Sequence, residues 1–242
     1  MCHSSALKFG EVCLNKSEVE GKRIIDVGAY NINGSFRATL EKLNPKEYVG
    51  VDIELGPDVD MVCDGNKLVE KFGRESFDLV VCTELLEHVI DWVPVISNIK
   101  NVCKRGGKIL ITTRSRGFPY HPFPFDVWRY EIEDMKNIFE DFEIEILEKD
   151  TQCPGVFMKA RKPENFNEVD LKDYELFSVI SDRRIKSFKE EKLPFVLSEG
   201  YGRLHPFVVK VKKDFRWQLI EKTDEVIRPY YHFFRDLFRK RR

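Results

Sequence analysis

A chain of 242 residues with 40 Lys+Arg against 41 Asp+Glu carries a formal net charge of -1, which excludes a broadly basic nucleic-acid binder, since that needs positive charge to displace counterions from phosphate. At roughly 150 residues per domain the length accommodates one sizeable core with a remainder. Six cysteines without a CxxC pair form neither a zinc pattern nor a disulfide framework, and no apolar run suits a signal peptide or membrane span, so a reduced, cytoplasmic setting is expected.

In chain order, the first ~20 residues read as a leading helix or arm. Arg23 to Gly28 is a buried strand ending in a turn, and Phe36, Leu40 and Leu43 then recur at helical spacing. Tyr48 to Ile53 is a second strand, Val59 to Cys63 a third, and Phe77 to Thr83, continuous in Leu79, Val80, Val81 and Cys82, a fourth. Asp91 is placed to cap a helix whose buried stripe is Val95, Ile96, Ile99, Val102 and Cys103, with Gly106-Gly107 expected to end it. Lys108 to Thr113 is a fifth strand, a helix follows at about Glu131 to Phe139, and Phe142 to Leu147 and Gly155 to Ala160 lie too close for a helix between them, so they form an antiparallel hairpin. Strands buried on both faces and separated by helices mean an α/β, doubly wound, mostly parallel sheet. The pattern runs over residues 1–163; residues 164–242 read as a C-terminal α/β or helical extension.

An open parallel sheet takes its ligand at the carboxyl ends of its strands. There Asp26-Val27-Gly28 lets a backbone approach closely, Asn33-Gly34 tolerates positive φ, and Asp52, 24 residues after Gly28, is placed to accept both ribose hydroxyls of a nucleoside. The positions two and five after Gly28 are Tyr30 and Asn33, so the glycine fingerprint of a dinucleotide site is missing. A nucleoside ligand without phosphates fits better.

These segments, with Cys63-Asp64-Gly65, the stretch Phe77 to Val89 containing Glu84-Leu85-Leu86-Glu87-His88, and Asn101 to Ile111, resemble class I S-adenosylmethionine (SAM) methyltransferases of the type 11 methyltransferase-domain family. The resemblance covers about residues 20 to 163. It implies a seven-stranded Rossmann-like sheet with an antiparallel last strand, and S-adenosyl-L-methionine as cofactor. By resemblance Asp26 and Gly28 with its loop pass the methionine part, Asp52 holds the ribose, Asp64 accepts from the adenine amino group, and Glu84 lies beside the methionine moiety or the acceptor. Tyr30 stands where the family has a second glycine, so Asn33-Gly34 must replace the usual turn.

Glu87-His88 invites a catalytic reading for His88, against a bland one as a hydrogen bond at the sheet edge. Residues 114–130, with prolines at 119, 122 and 124 and five aromatics, are expected to fold down as a lid over the cofactor end. Tyr120, Trp128 and Arg129 are its candidate substrate contacts, and His121 and Asp126 its candidate catalytic groups; the competing reading is that the aromatics cover the sheet and Asp126 pairs with Arg129. His121 is the first choice of base for an oxygen acceptor. No metal-ligand spacing is evident and no metal is expected. The C-terminal stretch Ile227 to Arg242 reads as a basic amphipathic helix, either packed on the domain or giving peripheral membrane contact at the inner face. The expected activity is methyl transfer to an oxygen of a small molecule such as a sugar or lipid-linked glycan. The alternatives are a non-catalytic interaction module, an NAD-dependent oxidoreductase and an RNA methyltransferase.

Overall fold

The computed structural model describes residues 4–121 and 125–187, all within one compact unit. Its elements begin with helices α1 (Ser4–Cys13) and α2 (Lys16–Val19), strand β1 (Arg23–Val27), α3 (Arg37–Glu41), β2 (Glu47–Asp52), β3 (Met61–Val62) and α4 (Leu68–Phe72). They continue with β4 (Phe77–Thr83), α5 (Trp92–Val102), β5 (Cys103–Arg114), β6 (Trp128–Arg129), α6 (Ile132–Ile138), β7 (Glu143–Lys149), β8 (Gly155–Arg161), β9 (Leu176–Ser178) and β10 (Arg183–Ile185). Seven strands form one sheet in the order β3-β2-β1-β4-β5-β8-β7. Neighbours from β3 to β5 pair in parallel, while β8 runs antiparallel to both β5 and β7. The expected hairpin and mostly parallel sheet are therefore present.

Strand periodicity splits the core between the two faces. Ile25, Val80, Ile109 and Ile111 face α5, where Val95, Ile96, Ile99 and Val102 are buried. Their neighbours Ile24, Leu79, Val81 and Leu110 face the other way, under Ala6 and Phe9 of α1 and Phe36 and Leu40 around α3. Each such apolar side chain contributes about 1.5–3 kcal/mol on burial, and with both faces covered the strands need no polar alternation.

Two sequence expectations are corrected here. Helix α5 ends at Val102, and Gly106-Gly107 lie within β5 instead, beside a register shift between Phe77 and Leu79. The buried Lys162 ammonium closes the helix end in their place, donating to the carbonyls of Lys100 and Cys103 at 2.8 Å each, which satisfies acceptors that a helix C-terminus leaves open. The second concerns the division at residue 163. Leu171 and Leu176 join the main core, β9 pairs antiparallel with β6, and β10 with β9, so residues 164–187 cover the domain rather than extend from it. The expected C-terminal amphipathic helix lies outside the described residues.

Candidate active site

The carboxyl ends of β1 and β4 border a shallow cleft lined by Asp26, Gly28, Ala29, Tyr30, Gly34, Ser35 and Thr83. Gly28 holds φ +86°, and a Cβ there would meet the Leu85 side chain at 3.1 Å. Gly34 has φ +137° and its N–H donates to Asn31 Oδ1 at 2.9 Å, while Asn31 Nδ2 donates to Asp58 Oδ2 at 2.8 Å. The loop that departs from the family glycine pattern is thus closed by Asn31, which sequence reasoning missed. Asn33, expected in the cofactor turn, is exposed and does not line the cleft. The Tyr30 ring lies against Gly56, where any Cβ would collide with it.

Asp26 is buried at the cleft floor. Its Oδ2 accepts from the Tyr48 hydroxyl at 2.6 Å, and its Oδ1 is buried with no hydrogen-bond partner. Burial, chiefly, pushes the carboxyl up to about 6, against the lowering effects of the Tyr48 hydroxyl and Arg37. An unpaired buried acceptor is costly, and this one fits a ligand that brings a cationic group. Asp52, at the end of β2, accepts from the backbone N–H of Tyr30 at 3.2 Å and of Glu54 at 3.3 Å, and burial raises its carboxyl. Asp64 follows β3, is exposed, and accepts from the Asn66 N–H at 3.1 Å as the cap of a short 3-10 turn, Gly65–Lys67.

Beyond β4 the chain passes through Glu84 at φ +53° and into a 3-10 turn, Leu86–His88. Glu84 is 4% exposed and receives the Thr112 hydroxyl at 2.8 Å and the Arg114 guanidinium. Arg114 also reaches Asp150 Oδ2 at 3.2 Å. Glu84 therefore ties β4 to β5, with its carboxylate already engaged. Burial and the nearby Glu87 push it upward, while Arg114 and Thr112 oppose them.

The turn delivers Glu87 and His88 to His121, which the loop after β5 carries back. Glu87 is fully buried; its Oε2 accepts from the Thr113 hydroxyl at 2.9 Å, and its Oε1 has no hydrogen-bond partner. Oε1 lies 4.0 Å from His88 Nε2 and 3.9 Å from His121 Nε2. His88 Nδ1 contacts the Phe125 carbonyl, and His121 Nδ1 contacts Asp126 Oδ2 at 2.9 Å. Both partners are acceptors, so each Nδ1 carries a proton, and each Nε2 faces Glu87 Oε1. Burial lowers His88, which favours the neutral ring. The two rings meet edge-on with centroids 4.9 Å apart.

Asp126 is held by Arg129 through both guanidinium nitrogens, and this pair with His121 keeps it well below the ordinary carboxylate range despite burial. It touches His121 behind the imidazole and does not line the cleft. Trp128 and Arg129, expected to contact substrate, are instead interior: Trp128 is 0% exposed and its Nε1 donates to the Val89 carbonyl at 2.8 Å, and Arg129 is 2% exposed and spent on Asp126. The physical reason is β6, which pairs with β9 and draws both side chains under the 164–187 segment. Tyr120 is 43% exposed. Glu87, the centre of the cluster, was legible only as one half of Glu87-His88.

An open sheet of this order, with a glycine-acid cleft at the carboxyl ends of β1 and β4, is that of a class I, SAM-type methyltransferase domain. The solved structure of the 1,6-didemethyltoxoflavin-N1-methyltransferase of Burkholderia thailandensis, with bound 1,6-didemethyltoxoflavin and S-adenosylhomocysteine, shares the fold at TM-score 0.52 and 15% identity, over 66% of this chain and 79% of that one. A putative methyltransferase of Haloferax volcanii, solved in complex with the Trm112 activator, does so at TM-score 0.54 and 14% identity, over 69% of this chain and 92% of that one. Residues 7–149 match the methyltransferase domain model, and the chain belongs to that family. Ubiquinone biosynthesis O-methyltransferases are similar to it: that of Aliivibrio fischeri strain MJ11 is 26% identical over 130 residues, covering 48% of this chain and 54% of the relative. That of Hahella chejuensis is 29% identical over 114 residues, covering 42% and 47%. The chain spans about half the length of these curated relatives.

Proposed function

We propose that the protein is a SAM-dependent O-methyltransferase acting on a small hydroxyl compound. The observation that carries this reading is the adjacency of two sites at the carboxyl end of β4. Thr83 lines the cleft and Leu85 packs against Gly28, and the next turn presents the imidazoles of His88 and His121. The names of the curated relatives support oxygen as the acceptor atom.

The residues present fit SAM, which supplies a methyl group activated by a sulfonium. In this reading Asp26 offers its unpaired Oδ1 to the cationic end, Gly28 and Gly34 leave room along the loop, and Asp52 accepts from the ribose. Asp64 stands at the end of β3 for the adenine. Such a site works mainly by alignment and exclusion of water. The acceptor hydroxyl is activated at the His88–His121 cluster, with Asp126 positioning His121. A sugar or lipid-linked glycan as acceptor would find Phe118 and Tyr120 on the lid, but not Trp128, which is in the core.

Calorimetry with SAM, S-adenosylhomocysteine and NAD tests the reading. Both SAM-type ligands are expected to bind at sub-millimolar affinity and NAD not to. If neither binds, the reading falls. Once an acceptor is found, His121→Ala should lower turnover by roughly 10²–10⁴-fold with SAM affinity retained; unchanged turnover would remove His121 from the chemistry.

A further inference from the structure

We propose that Glu87, His88 and His121 form a binding site for one first-row divalent transition-metal ion, which activates the acceptor oxygen. Glu87 Oε1 and the two Nε2 atoms all lie within 4.8 Å of one another. Around an ion at about 2.0–2.2 Å from each ligand such atoms stand about 3–3.5 Å apart, so small side-chain rotations complete the site.

Three features set this cluster apart from chance proximity. Each imidazole has its Nδ1 turned onto an acceptor, Phe125 O in one case and Asp126 in the other, which leaves Nε2 as the atom aimed into the cluster. A carboxylate behind the His121 ring is the usual outer partner of a metal-bound histidine, and here Arg129 holds that carboxylate from its far side. Most tellingly, Glu87 is fully buried, one oxygen is fixed by Thr113, and the other points at both Nε2 atoms with no hydrogen-bond donor of its own. A buried carboxylate oxygen left without a donor is costly, and a cation held between it and the two Nε2 atoms supplies the missing partner. Arg114, which feels the Glu87 charge, is already paired with Glu84 and Asp150.

Two imidazoles and one carboxylate select a transition ion such as Zn²⁺, Mn²⁺ or Fe²⁺ over Mg²⁺ or Ca²⁺, which prefer all-oxygen sets. Three protein ligands leave coordination positions open, and His121, with 17% of its side chain exposed, marks the accessible side. In the transfer step, which rests on the methyltransferase reading, the acceptor hydroxyl coordinates as a Lewis base and its O–H bond breaks, the proton leaving to water. The oxygen then forms its bond to the methyl carbon. The sulfur–methyl bond breaks with its electron pair remaining on sulfur, so the sulfonium becomes a neutral thioether and the metal keeps its oxidation state. Coordination does here what a free imidazole base would otherwise do.

The test uses the full chain, stripped with chelator and titrated with Co²⁺ as an optical probe, with elemental analysis of the protein as purified. One equivalent of Co²⁺ is expected to bind with visible d–d absorption. His121→Ala, His88→Ala and the isosteric Glu87→Gln should each weaken binding by about 100-fold or more, and Asp126→Asn by about 10–100-fold. Asp52→Ala should leave Co²⁺ binding intact while weakening SAM. Circular dichroism identifies any variant that has lost its fold, and His121, on a loop and partly exposed, gives the safest variant. Absence of stoichiometric Co²⁺ binding, or binding indifferent to all three ligand substitutions, overturns the proposal. Methyl transfer that survives chelation overturns the metal's role while leaving the methyltransferase reading standing. Metal binding at the cluster in a protein that does not bind SAM would uphold the site and refute that reading instead.

Discussion

Asp26 is the residue whose energetics are most open to measurement. It sits at the cleft floor with one oxygen unpartnered, and its carboxyl is raised from 3.8 to about 6 by burial. In the unfolded chain the group titrates near its ordinary value, so between about pH 4 and 6 the native state binds the extra proton. Stability then falls as pH rises through that window and levels off above it. A difference of roughly two pH units corresponds to about 3 kcal/mol as an upper figure. Asp26→Asn keeps the shape and cannot ionise. Urea denaturation at intervals from pH 4 to 8 should show wild type losing up to about 3 kcal/mol relative to the variant across pH 4–6, with parallel curves on either side. The comparison between the two proteins cancels other groups that titrate in the same range. Parallel curves throughout would refute the argument, because they would mean that the carboxylate ionises in the fold at no cost. Saturating SAM should flatten the difference, since a cation beside Oδ1 supplies the missing partner.

Three further outcomes follow from the same geometry. Asp52→Ala should weaken SAM at least about tenfold in calorimetry, through the loss of the ribose acceptor and of the bonds from Tyr30 and Glu54 that order the loop; unchanged affinity would place the ribose elsewhere. Gly28→Ala should cost about 1–2 kcal/mol in thermal unfolding and weaken SAM, because φ +86° disfavours a side chain and the new Cβ presses on Leu85; a neutral effect would mean that the turn relaxes freely. Arg114→Met should destabilise by about 3–5 kcal/mol, since it leaves Glu84 and Asp150 buried without their cation; a loss below 1 kcal/mol in chemical denaturation would contradict the tie between β4 and β5.

The sheet was legible because strand and helix periodicities are local. Leu79 to Cys82 and Ile109 to Ile111 announce doubly buried strands, and the turn after Gly28 and the acid at the end of the next strand mark the ligand end. The hairpin of β7 and β8 follows from the short interval between two apolar runs. What went wrong also has a local cause. Gly106-Gly107 looks like a helix stop, yet the stop is an ammonium that arrives from Lys162 at the end of β8. Aromatic residues after β5 look like a lid, and Trp128 is drawn into the core only because β9, encoded some fifty residues later, pairs with it.

The sequence by itself therefore determined the layered α/β sheet, the position of the cleft and the class of ligand it suits, because these rest on patterns repeated every two to four residues and on turns that need glycine. The tertiary structure alone decided the chemistry beside that cleft. It brought His121, carried on the loop after β5, against Glu87 and His88, turned each Nδ1 onto an acceptor, and left one buried carboxylate oxygen facing both Nε2 atoms. Nothing in local spacing encodes such a convergence, since the partners meet only once two strands, a turn and a returning loop have packed.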